Sequence, residues 1–388
     1  MNKGKHIING MKYLGYIERL YEKGVTPFQA KNHIIKDLNK FYKNKYILND
    51  LMFNSVVSDW INLLHNRESI DGFEQRVIEI IDVYNKALDM NTDETFNLIS
   101  ASLDESIHVG NLFWSLYDNN EESENKFDRV NQKMKFIGQI TEGILKHLMK
   151  EFYGILLISK GRNAEYIKIS NMGFGVIANN LLDYHGSLFL INGLRISDWR
   201  NISAHHKYVF IKDKIQCRYG KFDKEKVIEI TEEELDDVKT RLNEIMHILN
   251  FSHKMFVYDN TLELYTRKSS GNGFSTSNQG RPEIGMLMDL TAISAGGFEI
   301  IDFEYDSNLA VIKLKELYMQ CINEERLIDL AKILIVLWRC TKSKIIRVEY
   351  EKEQTDLLNI STTGNTCKRC AKGEFKLGTF MKKVRVEK

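Results

Sequence analysis

The residues best suited to chemistry are an arginine and a histidine that lie close together, Arg200 and His205. A histidine changes protonation near neutral pH and can act as a general base or acid. An arginine stays protonated and offers a planar fork of N–H groups to phosphate oxygens. Cutting RNA without a metal needs one group that moves the 2′-hydroxyl proton and one cation that stabilises the phosphorane-like transition state. The pair therefore predicts a metal-independent RNA-cutting site in which both residues are catalytic.

Three neighbours have supporting or RNA-binding roles in this prediction. Asn201 either positions the arginine or a phosphate, or simply ends the helix. His206 is the alternative proton carrier, although the spacing from the arginine and the small residue before His205 favour His205. Arg195 is assigned to a solvated face or to an auxiliary phosphate contact.

The pair lies at the C-terminal end of a helix predicted over residues 193–203, before a predicted hairpin of strands 208–211 and 215–219. Five residues along an ideal α-helix turn by about 140°, so Arg200 and His205 would not share a face. Either the helix ends between them, or a partner chain brings a second pair close. Two chains packed around these segments would place two arginines and two histidines in one cleft.

Helices are also predicted around this segment, from about residue 130 to 258. One covers residues 172–182, and Thr231 with Glu234 forms a capping box that opens another. A longer amphipathic stretch carries the apolar residues Phe136, Ile140, Ile144, Leu148 and Phe152.

In this helical setting the segment resembles the HEPN family (higher eukaryotes and prokaryotes nucleotide-binding domains), over roughly residues 130–260. Arg200, Asn201 and His205 match the arginine, polar residue and histidine that its ribonuclease members carry on a small helical bundle. The resemblance implies a homodimer with a composite active site, no metal or other cofactor, and cleavage that leaves a 2′,3′-cyclic phosphate. It also implies a toxin or a bacterial anti-phage (abortive infection) effector, with an antitoxin or a phage-derived activator as regulatory partner.

Composition and length predict the class of protein and the number of domains. The 388 residues are 43% apolar and 28% charged, which is ordinary for a globular protein of two or three domains. A mainly α fold is predicted, with a helical N-terminal domain over 1–125, the HEPN-like ribonuclease domain over 126–262 and an α+β domain over 263–388. Linkers are predicted at 119–128 and 268–282.

The flanking domains contain simpler signals. Apolar spacing predicts helices through residues 1–118, with Asn91 or Thr92 capping one of them. The C-terminal domain is predicted to hold a hairpin around residues 306–308, a helix over 324–339 and a strand over 344–350. The longest apolar run, 333–338, is far shorter than the roughly 20 residues that span a bilayer. A cytoplasmic protein without a membrane partner is therefore expected.

The formal net charge of +1 excludes a global attraction to nucleic acid. Nucleic-acid binding must therefore come from local patches. One candidate is the basic tail from Ser361 to Lys388, which holds eight lysines and arginines against Glu374 and Glu387.

Metal sites are weakly indicated. Cys367 and Cys370 have the spacing of half a zinc site, but zinc usually takes four ligands. The alternatives are a zinc ion shared by two chains and a site completed by Cys321 or Cys340, but two free thiols are the favoured interpretation. A metal site formed by His205, His206, His247 and His253 is rejected, and His247 is interpreted as a half-buried or surface histidine of an amphipathic helix.

Two other classes stay open. A non-catalytic module would use the helical domain to dimerise or bind a partner, and the basic tail to contact nucleic acid. A regulator that senses a nucleotide near the 268–282 loop is a further alternative. Burial of both Arg200 and His205 against their own domain would favour the binding module over the enzyme.

Overall fold

The computed structural model describes residues 15–44, 53–117, 123–220, 224–264, 282–317, 324–351 and 357–387. Its contacts divide the chain into two units. We call Ile70–Gly280 the helical unit, and Met1–Ser69 together with Arg281–Lys388 the sheet unit. The described residues are mainly helical, which confirms the mainly α part of the predicted fold class, whereas the HEPN-like bundle stays a prediction.

In chain order the helices of the described residues are α1 (Gly15–Glu22), α2 (Pro27–Leu38), α3 (Phe53–Ser69), α4 (Phe73–Met90), α5 (Thr92–Tyr117), α6 (Lys126–Gln139), α7 (Lys146–Ser159), α8 (Tyr166–Ser170), α9 (Phe174–Phe189), α10 (Ile196–Ala204), α11 (Glu232–Asp259), α12 (Pro282–Ala295), α13 (Glu324–Thr341), α14 (Gly364–Ala371) and α15 (Leu377–Met381). The strands are β1 (Leu190–Ile191), β2 (Leu194–Arg195), β3 (Tyr208–Ile211), β4 (Lys214–Tyr219), β5 (Lys226–Ile230), β6 (Phe298–Tyr305), β7 (Leu309–Glu316), β8 (Ile345–Glu351), β9 (Leu357–Thr363) and β10 (Arg385–Glu387). A 3₁₀ turn spans Asn39–Phe41, and a π-helical segment spans Ile140–Leu145.

This grouping differs from the three consecutive domains over 1–125, 126–262 and 263–388. The first helices belong with the C-terminal sheet, because α3 packs on α12 and the Tyr21 hydroxyl donates to the Ala295 carbonyl at 2.6 Å. In contrast, α4 and α5 pack on α7, so they belong with the helical unit. Long-range packing of this kind leaves no signal in local apolar spacing.

The predicted elements around the site are largely confirmed. The helix over 193–203 is α10, the one over 172–182 is α9, and strands β3 and β4 form the expected antiparallel hairpin. The sequence did not predict β5, which adds a third strand beside β4. At the start of α11 the Glu234 N–H donates to Thr231 Oγ1 at 3.1 Å, which confirms the capping box.

The flanking predictions also have clear outcomes. Asn91, not Thr92, caps α5, because the Glu94 N–H donates to Asn91 Oδ1 at 3.1 Å. Helix α6 begins at Lys126, two residues before the predicted end of the first linker. The β6–β7 hairpin, α13 and β8 are confirmed. Most of the 268–282 linker lies outside the described residues.

The sheet unit is built on five strands in the order β10-β9-β8-β7-β6. Only β7 and β8 pair in parallel, and α13 connects them, as a parallel crossover requires. The buried apolar residues of the strands face α12, α13 and α14, whereas Lys313, Lys315, Arg347 and Glu349 alternate with them on the opposite face. Glu316 is the exception, because it is buried and pairs with Arg326 at 2.6 Å. No helix of the described residues is long and apolar enough to cross a bilayer.

The helical unit is organised around the continuous helical run from α6 to α7. This run contacts α4, α5, α9, α10 and α11. Glu151 of α7 lies at the centre and is buried, with 3% of its surface exposed. Its carboxylate accepts hydrogen bonds from Tyr84 at 2.7 Å, from Ser102 at 2.5 Å and from His253 at 2.7 Å. The network therefore joins helices α4, α5, α7 and α11 through one carboxylate.

The pKa of Glu151 reflects two opposing effects. Burial alone would raise it, but the His253 charge and the hydrogen bonds from His253, Ser102 and Tyr84 lower it below its ordinary value. Because the Glu151 pKa is lower in the folded than in the unfolded chain, the ionised carboxylate stabilises the fold fully above the ordinary carboxyl pKa. This stabilisation is lost as the pH falls through the pKa of Glu151 in the folded chain.

We expect Glu151→Ala to lower the free energy of unfolding by roughly 3–5 kcal/mol at neutral pH, because it leaves the buried donors of Tyr84, Ser102 and His253 without their acceptor. Urea denaturation followed by circular dichroism measures the loss. The gap between wild type and variant should narrow as the pH falls below the ordinary carboxyl range. Glu165→Ala is the control, since the Glu165–Lys168 pair is exposed and contributes about 1 kcal/mol or less. Equal losses in the two variants would contradict a central role for Glu151.

Candidate active site

The helix that carries Arg200 is fixed by its buried face. Trp199 is fully buried, and its indole N–H donates to the Ile191 carbonyl at 3.0 Å. Ile196 and Ile202 lie on the same side of α10 and are also fully buried. Because residues three or four apart share a helix face, these contacts determine the rotation of α10 about its axis. They leave Arg200 at the edge of the bundle, where it is half-buried.

Arg195 secures the N-terminal end of α10. The buried Asp198 carboxylate accepts from the Arg195 Nε at 2.7 Å, from its Nη2 at 2.8 Å and from its backbone N–H at 3.4 Å. The Arg195 Nη1 donates to Asn179 Oδ1 at 2.8 Å. The hydrogen bonds to Asp198 raise the pKa of Arg195. The structure thus places Arg195 at the N-cap position of α10 and pairs it with Asp198, with 38% of its side chain exposed, while its solvated-face or phosphate-contact role stays a prediction.

The other end of α10 is a Schellman motif with His206 as its left-handed residue. The Lys207 N–H donates to the Ile202 carbonyl at 2.9 Å, and the His206 N–H donates to the Ser203 carbonyl at 3.4 Å. His206 has a φ of 50°, a conformation that glycine usually occupies. For a residue with a side chain the left-handed conformation costs roughly 1–2 kcal/mol. His206 is therefore held in a strained conformation directly beside the predicted catalytic histidine.

His205 is the C-cap of α10, and its side chain is exposed. The helix therefore ends at Ala204, between Arg200 and His205, as one of the two alternatives required. The His205 N–H nevertheless still donates to the Asn201 carbonyl at 3.2 Å, so helical spacing continues up to His205. The rotation of about 140° between the two side chains is therefore retained within one chain.

Arg200 is oriented by two partners. Its Nε donates to Glu142 Oε2 at 2.7 Å, and its Nη1 donates to Asn201 Oδ1 at 3.1 Å. A guanidinium has five N–H donors. Within the described residues the other three have no partner, and 29% of the side-chain surface is exposed. Arg200 is thus held in one orientation while most of its fork stays available to a ligand.

Asn201 positions the arginine side chain, one of the roles considered for it. It does not end the helix, because α10 continues for three more residues. Neither Arg200 nor His205 is buried against its own unit, so the arrangement that would favour a non-catalytic module is not observed.

Glu142 lies in the π-helical segment between α6 and α7. Such segments occur frequently at functional sites. The Lys146 ammonium donates to Glu142 Oε1 at 2.5 Å, so the carboxylate lies between Lys146 and Arg200. Burial alone would raise the Glu142 pKa, but hydrogen bonds from Lys146 and Arg200 lower it below its ordinary value. Glu142 is therefore ionised at neutral pH, and the three side chains together carry one positive charge.

Glu142 and Lys146 are not among the residues predicted from the sequence, although the sequence contains a signal for the π-helical segment before Lys146. The buried apolar residues of the α6–α7 run recur every four residues. Four residues of an α-helix turn by about 400°, so such a row drifts by about 40° at each step. The π-helical segment Ile140–Leu145 has more residues per turn, which offsets this drift and keeps the row facing the core. The row consists of Phe136, Ile140, Ile144, Leu148 and Phe152.

Within the described residues, the other side chains considered as metal ligands do not form a metal site. Cys367 is fully buried in α14, and burial raises its pKa to about 12. Cys370 lies one turn further on, and Cys321 lies outside the described residues. His253 pairs with Glu151. Across the described ranges, no three His, Cys, Asp or Glu side chains form a group that could hold a metal ion.

Comparison of the chain with protein-family models, with curated proteins and with solved structures finds no match in any of the three. The resemblance to the HEPN family therefore stays a prediction from the sequence motif.

Two substitutions at His206 separate backbone strain from side-chain chemistry. His206→Ala removes the ring but keeps a Cβ in the left-handed conformation, whereas His206→Gly removes both. We expect His206→Gly to be more stable than His206→Ala by about 1 kcal/mol, because glycine adopts positive φ freely. Thermal denaturation measures the difference. A glycine variant no more stable than the alanine variant would show that the strain is absent.

Proposed function

We propose that this protein is a metal-independent endoribonuclease whose catalytic residues are Arg200 and His205. The observation that carries the proposal is that Glu142 and Asn201 hold Arg200 while three of its N–H donors have no partner among the described residues, and that an exposed histidine follows at the C-terminal end of the same short helix. Accessible arginine and histidine side chains are the groups that 2′-hydroxyl attack requires. The match of Arg200, Asn201 and His205 to the HEPN ribonuclease motif adds independent support.

The reaction follows from the chemistry of these groups. His205 removes the proton of a ribose 2′-hydroxyl as its oxygen forms a bond to the adjacent phosphorus. The bond from phosphorus to the 5′-oxygen of the next nucleotide breaks, and that oxygen takes up a proton from water. The products are a 2′,3′-cyclic phosphate and a 5′-hydroxyl. Arg200 donates to the phosphate oxygens, where negative charge increases in the transition state.

We propose further that the working site is shared by two copies of the chain. Within one chain the side chains of Arg200 and His205 diverge by about 140° around α10. A symmetric dimer that pairs these helices places Arg200 of one copy opposite His205 of the other. RNA is then the substrate, and a homodimer is the active form.

The biological setting that we propose is a toxin or an abortive-infection effector. A ribonuclease that requires no added cofactor is harmful to its own cell unless it is restrained. Restraint by an antitoxin, or activation by a phage-derived partner, would meet that need. Expression of wild type but not of His205→Ala should therefore arrest growth.

We expect His205→Ala to slow RNA cleavage by about 10²–10⁴-fold, the usual contribution of a general base or acid. Arg200→Ala should slow it by about 10²–10³-fold, as loss of a transition-state donor does. Gel analysis of a labelled RNA with end-group determination measures rate and product. His206→Gly is the matched control and should cleave normally. Activity should persist in EDTA, because Arg200 and His205 supply both required groups.

Full cleavage by both His205→Ala and Arg200→Ala, with both variants folded, would overturn the assignment. Loss of cleavage in His206→Gly alone would identify His206, not His205, as the residue that moves the proton. Binding of RNA without cleavage by wild type would favour the non-catalytic module. One observation already fits that class, since the Arg200–Glu142 ion pair satisfies part of the site without a ligand.

Mixing two inactive variants tests the shared site. A mixed dimer of Arg200→Ala and His205→Ala chains keeps one intact Arg200 and one intact His205, in different chains. If the site is shared, co-refolding the two variants restores cleavage. A chain with both substitutions, co-refolded with Arg200→Ala, is the control and should stay inactive. Failure of the first mixture, with dimers present by sedimentation, would place both residues of a working pair in one chain.

A further inference from the structure

The end of the sheet unit carries a strongly basic surface that the proposed active site does not use. It is formed by α14, α15, β10 and the turns between them. We define the C-terminal basic surface as the six side chains that are exposed there and, within the described residues, make no ion pair: Lys368, Lys372, Lys376, Lys382, Lys383 and Arg385.

The fold directs these cations outward. On α14 the fully buried Cys367 fixes the inner face. Lys368 and Lys372 are one turn apart and lie about 100–140° from Cys367 around the axis, on the solvent side. Strand β10 pairs with β9 through its backbone, which leaves the Arg385 side chain exposed at the sheet edge. The cations are therefore displayed by ordered elements.

Helix-end electrostatics explain only part of this surface. Cations near the C-terminus of a helix are favourable, which applies to Lys368 in α14 and to Lys382 at the end of α15. Lys376 is the N-cap of α15, where a positive charge is unfavourable. Among residues 364–387 the only carboxylates are Glu374 and Glu387, so the cations lack neutralising neighbours.

Positive charge is concentrated in this segment although the whole chain is nearly neutral. The chain has a net charge of +1, whereas residues 364–387 carry seven lysines and arginines against two carboxylates. The remaining residues are therefore net negative. Attraction to a polyanion would concentrate on this surface rather than spread over the molecule.

We propose that the C-terminal basic surface binds single-stranded RNA as a site separate from Arg200 and His205. The choice of RNA among polyanions rests on the proposed function. Arg369 lies 5.3 Å from the ring centre of the half-buried Phe375, which places an arginine and an aromatic ring, both groups on which bases stack, beside the cations. An anionic membrane fits less well, because membrane-surface elements pair cations with an exposed apolar face. Val386 is the one large apolar side chain prominently exposed among the described residues 364–387.

The test compares two double substitutions in the full chain, both in the His205→Ala background so that RNA is not consumed. The first is Lys382→Gln with Lys383→Gln in the basic surface. The control is Lys313→Gln with Lys315→Gln, two exposed lysines of the same unit that face Glu349 and Glu299 at 3.8 Å. Binding of a labelled oligouridylate is followed by fluorescence anisotropy over a range of salt concentrations.

We expect the first variant to bind several-fold more weakly and its salt slope to fall by about 1.4, since each phosphate contact to a single strand contributes about 0.7. The control should match the parent. Equal weakening of both variants, or no weakening of either, overturns the proposal. Binding to phosphatidylserine vesicles but not to the oligouridylate overturns it in favour of a membrane. Because binding is read without cleavage, an inactive wild type would refute the proposed function and leave this test unaffected.

Discussion

The ion pair between Arg200 and Glu142 is the interaction on which the candidate site depends. It joins two elements that are far apart in sequence, α10 and the π-helical segment before α7. A half-exposed pair of this kind adds little to global stability. Its consequence is geometric, because together with the Asn201 hydrogen bond it fixes the direction of the guanidinium, and three donors keep no partner among the described residues. Lys146 on the other side of Glu142 keeps the local charge positive, which suits a phosphate ligand.

The rest of the helical unit maintains the geometry of that pair. Burial of Trp199 sets the rotation of α10, and the Arg195–Asp198 pair holds its first turn. On the other side, Glu151 lies in the helix that continues from the π-helical segment, so its buried network fixes the run that carries Glu142. A site held by a core in this way varies little in geometry, which is what transition-state stabilisation by an arginine requires.

The two proposed RNA contacts differ in physical kind. At Arg200 one oriented cation acts on one phosphate, and its effect depends on angles and distances. At the C-terminal basic surface several unpaired cations act together, and their effect depends on charge density and on salt. The near-zero net charge of the chain conceals this division, because an acidic remainder offsets the basic segment.

Local sequence patterns determined several features of secondary structure and charge in this protein. The Thr231 capping box, the β3–β4 hairpin, the end of α10 between Arg200 and His205, and the basic character of residues 361–388 can all be read from neighbouring residues, because short-range hydrogen bonds and charge decide them. Only the tertiary structure decided which helices pack together, that Arg195 joins Asp198 to Asn179, and that Glu142 reaches Arg200 from 58 positions away. Such pairings depend on the rotation of each helix against the core. That rotation is a property of the packed unit, and no single segment contains it.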